Sequence, residues 1–288
     1  MSADNATKNA SDRRPQPGLE ATLVAAALAG GRAVLAVYRS DFTVARKADD
    51  TPVCAADNES EAAVLAALAD SFPDVPVVAE EAAAAGRAGE PSRRFFLVDP
   101  LDGTKEFIGR NGEFTVNIAL VEDGVPVAGV VLAPALGKMF VAVGGRAWLA
   151  RTDADCQTVS FERQLKVRDA PAEPVAVASR SHGNEATEAM LERAAIKDRR
   201  SVGSSLKFCL VAEAQADIYP RLGTTMEWDT AAGDAVLRSA GGRVVDLDGA
   251  PLAYGKAGAP GVRPFQNPHF LAAGDDRMLE RVGAKRAA

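Results

Sequence analysis

Asp99 and Asp102 stand three positions apart in Val98-Asp99-Pro100-Leu101-Asp102-Gly103-Thr104, a run entered from the apolar segment Phe95-Phe96-Leu97. Two carboxylates at the point where a strand is expected to break into a turn can converge on a hard divalent cation. Gly103 and Thr104 then read as the opening of a short helix, whose free backbone N–H groups suit a phosphate. A cation site and an anion site within six residues point to metal-assisted phosphate chemistry.

Other acids occupy comparable places. Asp57 lies near the start of an expected helix, Glu80 at the end of a short β-like run, and Asp229 at the start of a further helix. None falls on an obvious solvated face, and the Leu101 carbonyl, between the two motif aspartates, can also point inward. Each acid alone has an ordinary alternative. An aspartate at a helix start is commonly a cap, and Glu80-Glu81 can be a solvated strand end.

The elements that must hold these residues follow from the apolar pattern. Leu23, Val24, Leu28, Val34, Leu35 and Tyr38 recur at helical spacing and predict a helix from Leu19 to Tyr38, in spite of Gly30-Gly31 at its middle. A second helix is expected from Asp57 to Ala69, after the polar loop Lys47 to Val53. Val75 to Ala79 and Arg94 to Val98 read as strands. Two hairpins follow: Phe114 to Val121 with Val125 to Leu132, and Lys138 to Val143 with Ala147 to Leu149. Polar Asp153 to Gln164 and the segment Ala170 to Pro174 predict a boundary. Strands at Val175, Asp217 and Arg243 then alternate with helices from Asn184, Ser204 and Asp229, which favours α/β layers. The reading divides the chain into a polar leader over 1–17, expected to be disordered, a strand-rich metal-binding half over 18–170 and an α/β half over 171–288. The active site is expected between the halves.

The 288-residue chain has a formal charge of −6 and no basic stripe, which argues against nucleic acid as a partner. Bound metals can still supply positive charge for an anionic substrate. Cys54, Cys156 and Cys209 form no CxxC pair, and His182 and His269 are the only histidines. These counts argue against a disulfide framework or a thiolate zinc site and exclude a His-rich metal site. The sequence has no run of about twenty apolar residues, and its first seventeen residues lack the apolar core of a signal peptide. The expected location is the cytoplasm.

Taken together, Asp99-Pro100-Leu101-Asp102-Gly103-Thr104 and Trp228-Asp229-Thr230-Ala231-Ala232-Gly233 resemble the paired signatures of the inositol monophosphatase superfamily of lithium-sensitive, magnesium-dependent phosphatases. Lys105 to Ile108, Asn111 to Leu120, Ser179 to His182 and Gly203 to Cys209 narrow the resemblance to the CysQ-type 3′(2′),5′-bisphosphate nucleotidases. The likeness runs from about Leu19 to Phe270. Haloacid-dehalogenase phosphatases differ, since their aspartates are separated by one residue and no proline intervenes. The resemblance implies an α/β (α+β) fold, a five-layer α-β-α-β-α sandwich with a mainly antiparallel first sheet and a smaller second one. It also implies that Glu80, Asp99, Asp102, Asp229 and the Leu101 carbonyl hold two or three magnesium ions. Asp57 and Thr104 match the pair that positions the attacking water, and the Gly103 and Thr104 amides receive the phosphate. His182, Ser204, Lys207 and Arg221 match contacts to adenosine and a second phosphate. For Ser204 the alternative is a helix cap, and for Arg221 a surface charge.

The implied reaction is hydrolysis of the 3′-phosphate of adenosine 3′,5′-bisphosphate to AMP, and of 3′-phosphoadenylyl sulfate alongside it, which recycles a by-product of sulfate assimilation. Inositol monophosphate or fructose 1,6-bisphosphate is the alternative substrate class, and a non-catalytic nucleotide-binding protein on the same fold is a remote one. Lithium inhibition is expected with the metal site. One departure stands out: the family loop Ser-Pro-Val-Thr reads Thr51-Pro52-Val53-Cys54 here, and a thiol cannot match a threonine hydroxyl as a donor. Packing is its expected role. Family members associate loosely with the inner membrane face, but no amphipathic basic helix supports that here. Both a monomer and a homodimer fit the sequence.

Overall fold

Helix α1 (Leu19–Tyr38) and helix α2 (Ala55–Ser71) pack side by side, with a small antiparallel ribbon, β1 (Ala45–Arg46) and β2 (Pro52–Val53), between them in the chain. The computed structural model describes residues 18–46, 52–53, 55–87, 89–179, 184–258 and 260–284. The expected leader over 1–17, Cys54 and His182 lie outside the described residues. Gly30 and Gly31 give α1 its close fit. A Cβ on Gly30 would lie 2.7 Å from Val64 Cγ2 of α2, and one on Gly31 2.6 Å from Leu132 Cδ2. That approach offsets the helical penalty of about 1 kcal/mol per glycine. By length and composition α1 is apolar enough to cross a membrane, yet its Leu23, Ala26, Ala27 and Val34 are fully buried in a core shared with strand residues.

The first sheet orders β3 (Val77–Ala79), β4 (Arg94–Asp102), β5 (Thr115–Glu122), β6 (Val125–Ala133), β7 (Lys138–Val143), β8 (Arg146–Thr152) and β9 (Val159–Gln164) side by side. Strand β3 is parallel to β4, and the rest form an antiparallel meander. Short helices α3 (Glu80–Ala84) and α4 (Thr104–Ile108) follow β3 and β4. Asp123 and Gly124, with φ of 50° and 77°, close the β5–β6 hairpin in the turn that strand twist prefers.

The second sheet is built from β10 (Val175–Ser179), β11 (Asp198–Val202), β12 (Ile218–Arg221), β13 (Arg243–Asp246) and β14 (Phe270–Ala273), in the order β11-β10-β12-β14-β13. Its helices are α5 (Glu185–Arg193), α6 (Leu206–Ala212), α7 (Ala231–Ser239) and α8 (Asp276–Arg281). Alternation along the strands assigns the layers. Phe96, Val98 and Ile118 join the core under α1 and α2, whereas Phe95, Leu97 and Ala119 meet Phe208 of α6, Val236 of α7 and Phe270 of the second sheet. On that sheet's far face Ile218, Val245 and Leu271 meet Leu191 of α5 and Met278 of α8. The stack is α-β-α-β-α, the five-layer sandwich that the resemblance implied.

Several elements depart from the sequence reading. Strand β4 does not stop at Val98 but runs on to Asp102, Glu80 opens α3 rather than ending a strand, and Asp229 sits in a turn two residues before α7. Strands β9 and β11 were not foreseen because they are polar edges, mostly exposed and charged, without apolar alternation.

Candidate metal and phosphate site

The motif aspartates share a cavity because β4 contains a bulge. Asp99 pairs with Asn117 and Asp102 with Thr115, so three steps along β4 match two along β5. In a regular strand, residues three apart point to opposite faces. The extra residue reverses the parity, and both carboxylates line one cavity of about 670 Å3. Pro100, which has no N–H for the ladder, suits the bulge. Its carbonyl accepts from Ser60 Oγ at 2.8 Å, and Asp99 Oδ1 accepts from Leu101 N at 3.0 Å. Gly103 takes φ 88° immediately afterwards, and a Cβ there would stand 3.2 Å from Glu113 O and 3.3 Å from Ser204 Cβ.

Glu80 and Asp229 reach the same cavity from two other elements. Ala79 pairs with Val98, which sets Glu80 abreast of Asp99. The Asp229 turn is closed by Met226 N donating to Asp229 Oδ2 at 2.8 Å. Fully buried Glu227 pins that turn by accepting from Gly255 N at 2.5 Å and Lys256 N at 2.9 Å.

The acids sense one another. Burial, and then the charges of Glu80, Asp102 and Asp229, push the Asp99 carboxyl well above the usual carboxylate range. Asp229 is pushed well up by burial, then by Asp102 and Glu80. Asp102 is also raised by burial, against the pull of Lys207 and of the Ser205 hydroxyl. Crowded, desolvated oxygen donors of this kind fit a hard cation. Among the described residues no three His, Cys, Asp or Glu side chains close on one point. Like charges repel along the cavity wall, and a cation is what would draw them in.

Two cationic side chains line the same cavity. Buried Lys207 donates from Nζ to Ser204 O at 2.5 Å and Val202 O at 3.4 Å, and lies 5.3 Å from the Tyr219 ring centre. Burial brings its pKa down to about 8, while Asp102 pulls it the other way. Arg221 Nη2 donates to Thr224 O at 2.9 Å. Arg221 Nε and Ser204 Oγ are buried and lack a hydrogen-bond partner among the described residues, an arrangement that asks for a polar ligand. Ser204 also holds a left-handed φ of 47°, unusual for a serine.

The cavity therefore gathers Glu80, Asp99, Leu101, Asp102, Gly103, Thr104, Ser204, Lys207, Arg221 and Asp229. Thr104 Oγ1 lies 3.5 Å from Leu101 O. Asp57 is buried in the first turn of α2 and is not among the cavity-lining residues. Asn117 and Ser205, which contact Asp102, were missed. The signal was available: Asn117 is a polar residue at an inward position of an apolar strand.

A family model for the inositol monophosphatase family matches residues 16–273. The 3′(2′),5′-bisphosphate nucleotidase CysQ of Salmonella typhimurium is 48% identical over 83% of this chain and 93% of its own. The CysQ protein of Escherichia coli K12 is 46% identical over the same shares. Among solved structures, CysQ from Bacteroides thetaiotaomicron, a member of the same family, superposes with a TM-score of 0.72 at 36% identity, covering 88% of this chain and 97% of that one.

Proposed function

The chain belongs to the inositol monophosphatase family, and from that premise we propose that it removes the 3′-phosphate of adenosine 3′,5′-bisphosphate, giving AMP and phosphate, with 3′-phosphoadenylyl sulfate as a second substrate. It is a phosphatase, and metal dependence is typical of its family. The observation that carries the nucleotide reading is the polarity of the cavity, acidic at Glu80, Asp99, Asp102 and Asp229 and basic at Lys207 and Arg221. Metals held by the acids serve one phosphate, and the two cations suit a second.

In this reading Glu80, Asp99, Asp102, Asp229 and the Leu101 carbonyl hold magnesium. The cation, when bound, acidifies a water and neutralises charge on the scissile phosphate. Thr104 aligns the attacking water and relays its proton toward Asp57, which is buried outside the cavity lining, as the bond to the 3′-oxygen breaks and that oxygen takes a proton from solvent. Gly103 and Thr104 amides orient the phosphate, and no covalent intermediate is required. Lys207, Arg221 and Ser204, with His182 beside them in the family pattern, hold the second phosphate and the nucleoside. The halves 18–170 and 171–288 thus meet at the reacting bond, and we place the protein in the cytoplasm.

Phosphate release across adenosine 3′,5′-bisphosphate, 3′-phosphoadenylyl sulfate, inositol monophosphate and fructose 1,6-bisphosphate, with and without magnesium, tests this directly. The nucleotides should be preferred and the activity should vanish in EDTA. Faster turnover of inositol monophosphate would overturn the substrate assignment.

A further inference from the structure

One hydroxyl group touches two segments that carry cavity acids. Ser205 Oγ lies 3.0 Å from Asp102 Oδ2 and 2.6 Å from the Asp229 carbonyl oxygen. Asn117 Nδ2 donates to Ser205 Oγ at 2.9 Å and approaches Asp102 Oδ2 at 3.5 Å. Ser205 and Asn117 are both buried. Asp102 ends a strand of the first sheet, Asn117 lies on the adjacent β5 opposite Asp99, and Asp229 belongs to the turn before α7. Ser205 precedes α6, so its side chain bridges the two halves at the cavity.

Proton counting gives the bridge a direction. A serine hydroxyl has one proton and two lone pairs. Because Asn117 donates to it, Ser205 must spend its own proton on Asp229 O or on the Asp102 carboxylate. Donation to Asp102 ties the second half to the first, and the 3.0 Å contact to the carboxylate favours it, because donation to Asp229 O would stay within the second half and leave that carboxylate oxygen facing a lone pair. Packing alone would not favour this arrangement. Asn117 Oδ1 and the nearby Thr115 Oγ1 are buried without a hydrogen-bond partner among the described residues, and an apolar pair would fill the same strand positions without leaving polar atoms unsatisfied.

We propose that Ser205, held as a donor by Asn117, is a positioning residue that sets Asp102 relative to Asp229 for cation binding. This rests on the metal-site reading given above. Groups that orient metal ligands typically change metal affinity by about 10- to 100-fold when removed.

The test uses the full-length protein and Mn2+ alone as probe, with free Mn2+ followed by electron paramagnetic resonance and no nucleotide present. Ser205→Ala should raise the Mn2+ dissociation constant by about 10-fold, with the urea midpoint in EDTA close to wild type. Asn117→Ala should weaken binding similarly, and the double variant should be little worse than either single one, since Asn117 acts through Ser205. Ser205→Thr keeps the hydroxyl and should bind nearly as wild type. Asp99→Asn is the reference. If Asp99→Asn loses Mn2+ while Ser205→Ala binds normally, the positioning role is wrong. A Ser205→Ala protein whose EDTA midpoint falls while its Mn2+ affinity holds has lost a structural latch, which also overturns the proposal. Normal binding by Asp99→Asn would remove the metal site itself, and both readings with it.

Discussion

Asp102 touches more of the site's chemistry than any other single residue described: it faces the acids, feels Lys207 and accepts from Ser205. Asp102→Asn keeps the shape and removes the charge. It should lower kcat by at least about 100-fold, the upper end of what residues outside the ligand set cause, as read from steady-state phosphate release. Lys207→Ala combined with Arg221→Ala removes two charge-assisted contacts. At about 1.5–3 kcal/mol each, the pair should reduce kcat/KM for adenosine 3′,5′-bisphosphate by roughly 100-fold or more. Turnover of inositol monophosphate should change little. Equal losses on both substrates would mean that these cations serve the fold or the metals rather than the second phosphate.

The elements separate stability from activity at two glycines. Gly31→Ala would push a methyl group to 2.6 Å from Leu132 Cδ2 and 3.3 Å from Cys156 Sγ, neither of which lines the cavity. It should cost about 1–3 kcal/mol in urea unfolding, as overpacking does, and leave kcat near wild type. Gly103→Ala forces an alanine into φ 88° beside Ser204. There the backbone penalty of about 1–2 kcal/mol should come with a loss of turnover, because the turn that seats the phosphate must move. The sequence made α1, α7 and the two hairpins legible, since Leu23 to Tyr38 and Asp123-Gly124 carry period and turn chemistry in themselves. It did not reveal the bulge at Pro100-Leu101. A bulge is a mismatch between two strands, and neither strand's own pattern contains it. Nor did it reveal β11, whose Arg199 and Arg200 protect an edge and so erase the alternation that would betray a strand. Of the site, the acids were readable from their motifs and Ser205 was not, because its partners Asp102 and Asn117 are distant in sequence.

For the whole molecule, the acid cluster couples stability to pH and to metal. Asp99 and Asp229 are raised in the folded state, so the folded protein binds more protons than the unfolded chain above the ordinary aspartate range. Stability of the metal-free protein is therefore lost as pH rises from the unfolded aspartate value toward the raised folded values. Magnesium must displace those protons to bind, and it relieves the same repulsion. The gain in Tm on adding magnesium should then be larger at pH 8 than at pH 5.5, as measured by differential scanning calorimetry. A gain independent of pH would mean that the carboxyls are not the groups that magnesium engages. The cluster also has a history within each molecule's synthesis. Asp99 and Asp102 belong to the first sheet and Asp229 to a turn much later in the chain. At ribosomal rates of about 5–20 residues per second, that separation amounts to a delay on the order of ten seconds. During that interval the first sheet has to stand with its aspartates crowded together and the ligand set incomplete. The second sheet also needs β13 and β14, made after Asp229, so the final assembly of the two sheets, not the first collapse, decides when the cation can begin to protect the newborn chain.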